Sequence, residues 1–253
     1  MKRKIIAIGG GRIMLPKGRL PQTMKIDQEI VRLSKKKAPR LLFVPTASLD
    51  DSDYCDRIEK HFTANLGCQV DFLLLYRNRP GRSEIRRRIL TADIIYVGGG
   101  NTLRMMMLWR RLGVDKFLDQ ARRQGTVLCG LSAGCICWFR QGNSDSRKFA
   151  DSSNDTLIKV RGLNYIDALG CPHYDVEKNR KPALEKMMRS TPGVAIGLDN
   201  GAALEVIDDS YRIITSMRHK NGWRVYWHGG NYHREKLPKN GEYQPLRSLL
   251  EKS

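Results

Sequence analysis

The chain has 253 residues, 41% of them hydrophobic and 28% charged, and carries a formal net charge of +19. That is enough apolar material for a substantial core in one large α/β domain or two small ones, and no apolar run approaches the length of a membrane span. The excess positive charge suits an anionic partner, whether nucleic acid, an acidic lipid surface or an acidic small substrate.

Met1-Lys-Arg-Lys opens like a secretory n-region, but the apolar residues Ile5 to Ile8 run directly into Gly9-Gly10-Gly11. That is too short for a signal peptide, so a cytoplasmic protein is expected. Short, near-continuously apolar runs predict strands at Lys4–Ile8, Leu41–Val44, Val70–Leu75, Ile94–Val97 and Thr126–Cys129. Helical periodicity falls between them, at about Met24–Lys37, Asp51–Leu66, Ser83–Leu90, Thr102–Leu112 and Val114–Arg123. This alternation predicts a mainly parallel sheet with helices on both faces. The basic clusters Lys35-Lys36-Lys37, Arg86-Arg87-Arg88, Arg110-Arg111, Arg122-Arg123 and Lys178 to Lys181 mostly lie on these helical patterns, where a solvated outer face is the default reading. No nucleic-acid-binding motif accompanies them, so sequence-specific nucleic-acid binding is not expected.

The most informative stretch follows. Thr126-Val-Leu-Cys-Gly130-Leu-Ser132-Ala-Gly134 carries an apolar strand into Gly-x-Ser-x-Gly, and Cys135 to Phe139 continues in a helix-compatible pattern. This is the setting of a nucleophile elbow, where a serine on a tight turn presents its hydroxyl. Flanking glycines suit the crowded turn, and the amides that follow can stabilise negative charge on an oxygen. Without chemistry, the same stretch would be a helix start capped by Ser132. Gln141–Asp155 reads as a long polar loop near the site. Beyond it, Gly193–Leu198 and Ala202–Ile207 read as strands, and Tyr211–Met217 and Trp223–Trp227 flank Lys220-Asn221-Gly222, a hairpin signal. The C-terminal part is therefore predicted to be antiparallel, packed on the edge of the main sheet. With no linker or repeat, residues 1–253 read as a single domain.

Six cysteines, at 55, 68, 129, 135, 137 and 171, show no Cys-x-x-Cys spacing, so neither a zinc site nor a disulfide framework is indicated, and no cofactor is expected. Three further segments bear on Ser132. Tyr96-Val-Gly98-Gly99-Gly100-Asn101-Thr102 is a glycine-rich turn whose amides, with that of Ala133, would form an oxyanion hole; a phosphate loop or a plain tight turn reads equally well. Gly9-Gly10-Gly11 lacks the spacing of a dinucleotide site. A serine nucleophile needs a base, and of the five histidines only His173 follows the serine in a short turn, Gly170-Cys-Pro-His173-Tyr-Asp175. His61 sits on a charged helix, and His219, His228 and His233 lie in the basic C-terminal part. Ala195-Ile-Gly-Leu-Asp199-Asn200-Gly201 ends a strand in polar residues, where a third member could arise.

Taken in order, the Gly-Gly-Gly-Asn-Thr turn, the Gly-x-Ser-Ala-Gly stretch, the Pro-His-Tyr-Asp turn and the Ile-Gly-Leu-Asp-Asn-Gly strand resemble the serine peptidases that include aspartyl dipeptidase (peptidase E) and cyanophycinase, and more closely the first. The resemblance is specific from about Ile94 to Ile207. It implies a three-layer α/β/α fold like that of class I glutamine amidotransferases, with serine in place of their cysteine. Ser132 would be nucleophile and His173 its general base, with Gly99 or Gly100 and Ala133 supplying oxyanion amides. Arg180 would bind the substrate's aspartate carboxylate, with Asn101 as a further substrate contact. One departure stands out: where the family commonly has Glu, this chain has Asn200, beside Asp199. Asparagine can orient the histidine but adds no negative charge, so Asp199, Asp145 and Asp151 are alternatives. The function expected is cleavage of short acidic peptides after an N-terminal aspartate. The competing readings are a cysteine-dependent, amidotransferase-like enzyme and a scaffold that binds an anionic peptide or nucleic acid. A homodimer is compatible with the sequence, which does not demand one.

Overall fold

The computed structural model describes residues 1–13 and 21–252. The first half alternates strand and helix: β1 (Lys4–Ile8), α1 (Met24–Ser34), β2 (Arg40–Val44), α2 (Ser52–Ala64), β3 (Gln69–Phe72), α3 (Arg82–Thr91) and β4 (Ile94–Val97). Then come α4 (Thr102–Leu112), α5 (Val114–Arg123), β5 (Val127–Leu131) and the one-turn α6 (Ala133–Ile136). The second half is richer in strands, with β6 (Phe139–Ser144), β7 (Ile158–Arg161), β8 (Ile166–Cys171), α7 (Arg180–Met188), β9 (Ala195–Leu198) and β10 (Ala202–Ile207). It ends with β11 (Ser210–Thr215), β12 (Gly222–His228), β13 (Asn231–Lys236), β14 (Gln244–Pro245) and α8 (Leu246–Leu250).

Eight strands form one sheet in the order β14-β11-β10-β1-β5-β4-β2-β3. The run from β1 to β3 is parallel throughout, and β10, β11 and β14 extend it antiparallel. Its inner parallel strands β1, β2, β4 and β5 are mostly apolar on both faces because both faces are covered. In β1, Ile6 and Ile8 pack with Ile26 and Ile30 of α1 and Ile58 and Phe62 of α2. Ile5 and Ala7 join the opposite cluster, with Ile85 of α3, Trp109 of α4 and Phe117 of α5. These are the three layers expected, a sheet between two layers of helices.

A second sheet, in the order β13-β12-β9-β8-β6-β7, was not foreseen. It pairs β6, β8 and β9 in parallel and the remaining strands antiparallel. The first four residues of the stretch expected to be a loop, Gln141 to Ser144, therefore enter it in β6, with Asn143 and Ser144 fully buried, while the remainder holds the 3-10 turn Ser146–Phe149 and no strand.

The hairpin expected at Lys220-Asn221-Gly222 is not formed. β11 pairs with β10 in the first sheet, while β12 pairs with β9 and β13 in the second. The Asn221 amide donates to Asp199 Oδ2 at 2.9 Å and its carbonyl accepts from Asp199 N–H at 3.1 Å, so the segment is a crossover tied to the end of β9. The actual turns are at Asp208-Asp209 and at Gly229-Gly230, whose glycines take φ of 56° and 80°. No helix among the described residues is long and apolar enough to cross a membrane.

Candidate active site

Ser132 sits where β5 turns into α6, with φ 56° and ψ −109°. Such a conformation is costly for a residue with a side chain and persists only where its surroundings enforce it. Here the enforcement is close packing on the end of β4. A Cβ on Gly130 would lie 2.5 Å from the Val97 carbonyl oxygen, and one on Gly134 would lie 2.1 Å from it. The Ser132 amide donates to the Ile8 carbonyl at 3.2 Å, and its carbonyl accepts from the Cys135 and Ile136 amides. The backbone is thus held on every side while the hydroxyl stays half-buried at the sheet edge.

His173 follows β8 and reaches the serine from the second sheet. Its Nε2 lies 2.9 Å from Ser132 Oγ, and its Nδ1 lies 2.7 Å from Asn200 Oδ1. The His173 amide donates to the Gly9 carbonyl at 2.8 Å, so the end of β1 bridges both partners. Gly10 lies against them: a Cβ there would fall 2.2 Å from Asn200 Oδ1 and 2.5 Å from His173 Nδ1. Asn200, at the end of β9, donates its backbone N–H to Asp175 Oδ1 at 2.9 Å. Asp175 in turn pairs with the Lys220 ammonium. Burial pushes the Asp175 carboxyl up, but Lys220 and the Asn200 amide outweigh it and hold it below the usual carboxylate range.

The structure thus brings Ser132, His173 and Asn200 into one hydrogen-bonded line and leaves the other acidic candidates outside it. Asp199 is 4% exposed and turned away, its oxygens accepting from Trp223 Nε1 at 3.2 Å and from the Asn221 amide. Asp145 lies 3.8 Å from the Arg180 guanidinium, and Asp151 accepts from Ser153 in an exposed turn.

Gly99 lies beside Ser132, since a Cβ there would come within 3.3 Å of Ser132 Cβ. Its amide donates to the Tyr54 hydroxyl at 3.3 Å. Burial pushes that phenol up to about 12, so it stays a neutral O–H. Gly100 takes φ 135°, where a side chain would strike the Ala47 carbonyl at 2.2 Å. Ala133 is the first residue of α6, a position whose amide has no acceptor within the helix. Gly99 and Ala133 therefore both adjoin Ser132.

The two expected substrate contacts are engaged elsewhere. Asn101 caps α4: its Oδ1 accepts from the Arg104 amide at 3.0 Å, and its Nδ2 donates to the Ser146 carbonyl at 3.2 Å. Arg180 is 1% exposed, with Nε on Glu177 at 2.6 Å and Nη1 on the Asn143 carbonyl. Its charge is already matched by Glu177 and Asp145, and it ties the start of α7 to β6.

Several partners were missed by sequence reasoning. Gly10 carried a readable signal, a glycine run at the end of β1, because Ile8 pairs with Leu131 in the neighbouring strand. Tyr54 and Lys220 carried none. All six cysteines are buried and free. Burial pushes the Cys135 thiol far up, and Cys129 donates to the Ile95 carbonyl inside the sheet, so neither offers a thiolate. Among the described residues, no three His, Cys, Asp or Glu side chains cluster as a metal site.

Comparison with known proteins bears on the whole arrangement. The model of peptidase family S51 matches residues 5–214. A Bacillus subtilis (strain 168) protein named uncharacterized peptidase YgaJ is 36% identical over 227 residues, covering 88% of this chain and 92% of that one. Peptidase E of a Nostoc species is 26% identical, over 74% of this chain and 77% of its own. The crystal structure of a peptidase from an acI-B1 actinobacterium superposes with a TM-score of 0.69 at 17% identity, covering 96% of both chains. A putative peptidase E from Listeria monocytogenes EGD-e gives 0.63 at 19% identity, over 85% of this chain and 99% of that one, and at this identity both speak to the fold alone.

Proposed function

This chain belongs to peptidase family S51 and is a peptidase, and from that premise we propose that it removes an N-terminal aspartate from short peptides through Ser132, His173 and Asn200. The reading rests on one observation above all, the line from Ser132 Oγ through the imidazole to Asn200 Oδ1. Asn200 Oδ1 accepts the Nδ1 proton, which leaves the Nε2 lone pair facing the serine hydroxyl. Ser132 attacks the aspartate's own α-carbonyl as its proton passes to Nε2. The oxyanion takes the amides of Ala133 and of Gly99 or Gly100. Gly99 must then exchange the Tyr54 hydroxyl for the substrate oxygen. His173 returns the proton to the departing amine, and an aspartyl ester remains on Ser132. Water deprotonated by His173 resolves that ester and restores the serine.

Preference for aspartate is supported by the resemblance to peptidase E and by the net charge of +19. In this reading Arg180 serves the substrate carboxylate only if Glu177, which is partly exposed, gives way. The test is labelling by a fluorophosphonate probe, with the adduct located by mass, beside hydrolysis of Asp-Leu, Glu-Leu, Asn-Leu and Ala-Leu. Labelling at Ser132 that disappears in Ser132→Ala and His173→Ala, with Asp-Leu cleaved best, is expected. Undiminished Asp-Leu hydrolysis by pure Ser132→Ala would sink the mechanism. Equal cleavage of all four dipeptides would sink the specificity.

A further inference from the structure

Among the described residues, the amide of Gly99 has one acceptor, and it is a side chain: the Tyr54 hydroxyl, at 3.3 Å. That is long for a bond from an amide N–H, whose usual length is about 2.9 Å, and so it is readily exchanged. The hydroxyl also carries a proton of its own, which no described residue accepts. A phenol with an unused donor thus stands against an amide that the mechanism assigns to the oxyanion. Its ring is firmly placed. Phe43 meets it edge-on, with centroids 5.0 Å apart, and the Arg57 guanidinium lies 5.6 Å over its face. A Cβ on Gly98 would fall 3.0 Å from Tyr54 Cε1, so the ring packs on the turn that leads to Gly99. The Tyr54 amide donates to Asp51 Oδ1 at 2.6 Å, which caps α2. The side chain is still within reach of a ligand: with Leu131 and Gly11, the neighbours of Ser132 and Gly10, it lines a cavity of about 240 Å³.

We propose that Tyr54 donates its O–H to the oxyanion formed when Ser132 attacks, as a third donor beside the amides of Gly99 and Ala133. The inference rests on the proposed mechanism and adds a side chain to it. Gly99 N and Tyr54 Oη are 3.3 Å apart, so one oxygen can lie about 2.9 Å from the first and about 2.7 Å from the second. As substrate enters, the Gly99 N–H turns from the phenol to the substrate oxygen, and the phenol directs its own proton to the same atom. The phenol keeps that proton throughout, and no bond to it is made or broken. Pushed up to about 12 by burial, it stays protonated near neutral pH. A hydrogen bond to an ionised oxygen is about twice as strong as one to a neutral carbonyl. The contact therefore favours the transition state over the bound peptide.

The test compares the parent with Tyr54→Phe and with Tyr54→3-fluorotyrosine, reading Asp-Leu hydrolysis and the second-order rate of fluorophosphonate labelling at Ser132. Phenylalanine keeps the ring and deletes the O–H. In that variant kcat should fall about 100-fold with KM within about threefold of the parent, and labelling should slow likewise. Fluorine makes the phenol a stronger donor and its oxygen a weaker acceptor, so donation to the oxyanion requires a rate about twofold above the parent. A hydroxyl that merely steadies Gly99 requires the opposite, a slower fluorinated protein, and that result would overturn the proposal. So would Tyr54→Phe at or above the parent's rate, which marks the hydroxyl as a spectator or as a plug on the Gly99 amide. Should Tyr54→Phe not fold, the fluorinated protein decides: a higher kcat at unchanged KM sustains the donor, and a lower KM alone, no change or a slower rate overturns it. A parent that neither cleaves Asp-Leu nor labels at Ser132 fails the function reading and the donor with it. A parent that labels at Ser132, with Tyr54→Phe labelling equally fast, fails the donor alone.

Discussion

Replacing Gly10 with alanine tests the catalytic line without replacing any group proposed to react. The added Cβ would lie 2.2 Å from Asn200 Oδ1 and 2.5 Å from both His173 Nδ1 and Cε1, where ordinary contacts begin near 3.4 Å. Asn200 and the imidazole must therefore retreat by about 1 Å, and a misplacement of that size costs about 100-fold in rate. The imidazole is not free to slide along the serine, because the His173 amide is pinned to the Gly9 carbonyl. The backbone is strained as well, since φ at Gly10 is 151°, at a cost of about 1–3 kcal/mol for an L-residue. For a chain of this size that corresponds to a fall in Tm of roughly 2–10 °C. Gly230→Ala separates strain from contact: φ there is 80°, yet nothing lies within 4 Å of the new Cβ. Second-order rates of fluorophosphonate labelling, with circular dichroism melts, give both readouts. Gly10→Ala should label about 100-fold more slowly than Gly230→Ala while still folding at 25 °C. Labelling within about threefold of the parent would mean that the Ser132–His173–Asn200 line does not set the reactivity of the serine.

Three other outcomes follow from the site. Asn200→Asp exchanges a neutral acceptor for a charged one, a bond about twice as strong; a gain of about 1 kcal/mol should raise kcat/KM roughly fivefold, and a fall would show that the amide form is needed. Arg180→Gln leaves the buried Asn143 carbonyl and two carboxylates without their cation, so urea unfolding should show a loss of about 3 kcal/mol; a loss below about 1 kcal/mol would free Arg180 from its structural duty. Asp175 sits below the usual carboxylate range because of Lys220 and the Asn200 amide, despite its burial. A depressed carboxylate contributes stability that is present above its unfolded value, near 3.9, and is lost as pH falls through the lower folded value. Lys220→Met should therefore be less stable than the parent at pH 7 but converge with it as pH falls below about 4; a difference independent of pH would remove the ion pair as its cause.

The first half of the fold was legible because its strands are buried on both faces and its helices carry one apolar stripe. β1, β4, α4 and α5 are found at the expected bounds. The second sheet was not legible, and the reason is physical. β6 is Phe-Arg-Gln-Gly-Asn-Ser, and its buried polar groups answer to Arg180 and Ser146, far along the chain or in the next turn. The Asn-Gly signal at 221–222 was local and correct for a turn in isolation. It lost to the partners of the flanking strands, because β11 and β12 bury their faces in different sheets.

At the site, the sequence singled out the three residues that meet, along with Asp199, Asn101 and Arg180 that do not, and gave no sign of the support behind them. A carboxylate does stand near the histidine, yet it does not touch it: Asp175 holds the Asn200 backbone and is neutralised by Lys220. The charge that a carboxylate would bring to the imidazolium is therefore spent on positioning the amide. An asparagine can fix the imidazole tautomer only if its carbonyl is aimed, and here three contacts aim it. Its amide is tied to Asp175, Gly10 lies against its Oδ1, and the Gly201 amide is tied to the Gly10 carbonyl at 2.8 Å. In the proposed mechanism the turn at Ser132 and the amides of Gly99 and Ala133 then carry most of the transition-state stabilisation, which is the usual share of preorganised dipoles. Asn200→Asp and Gly10→Ala pull on opposite ends of this argument, one adding charge at fixed geometry and the other moving geometry at fixed charge. A catalyst built on position should respond far more to the second.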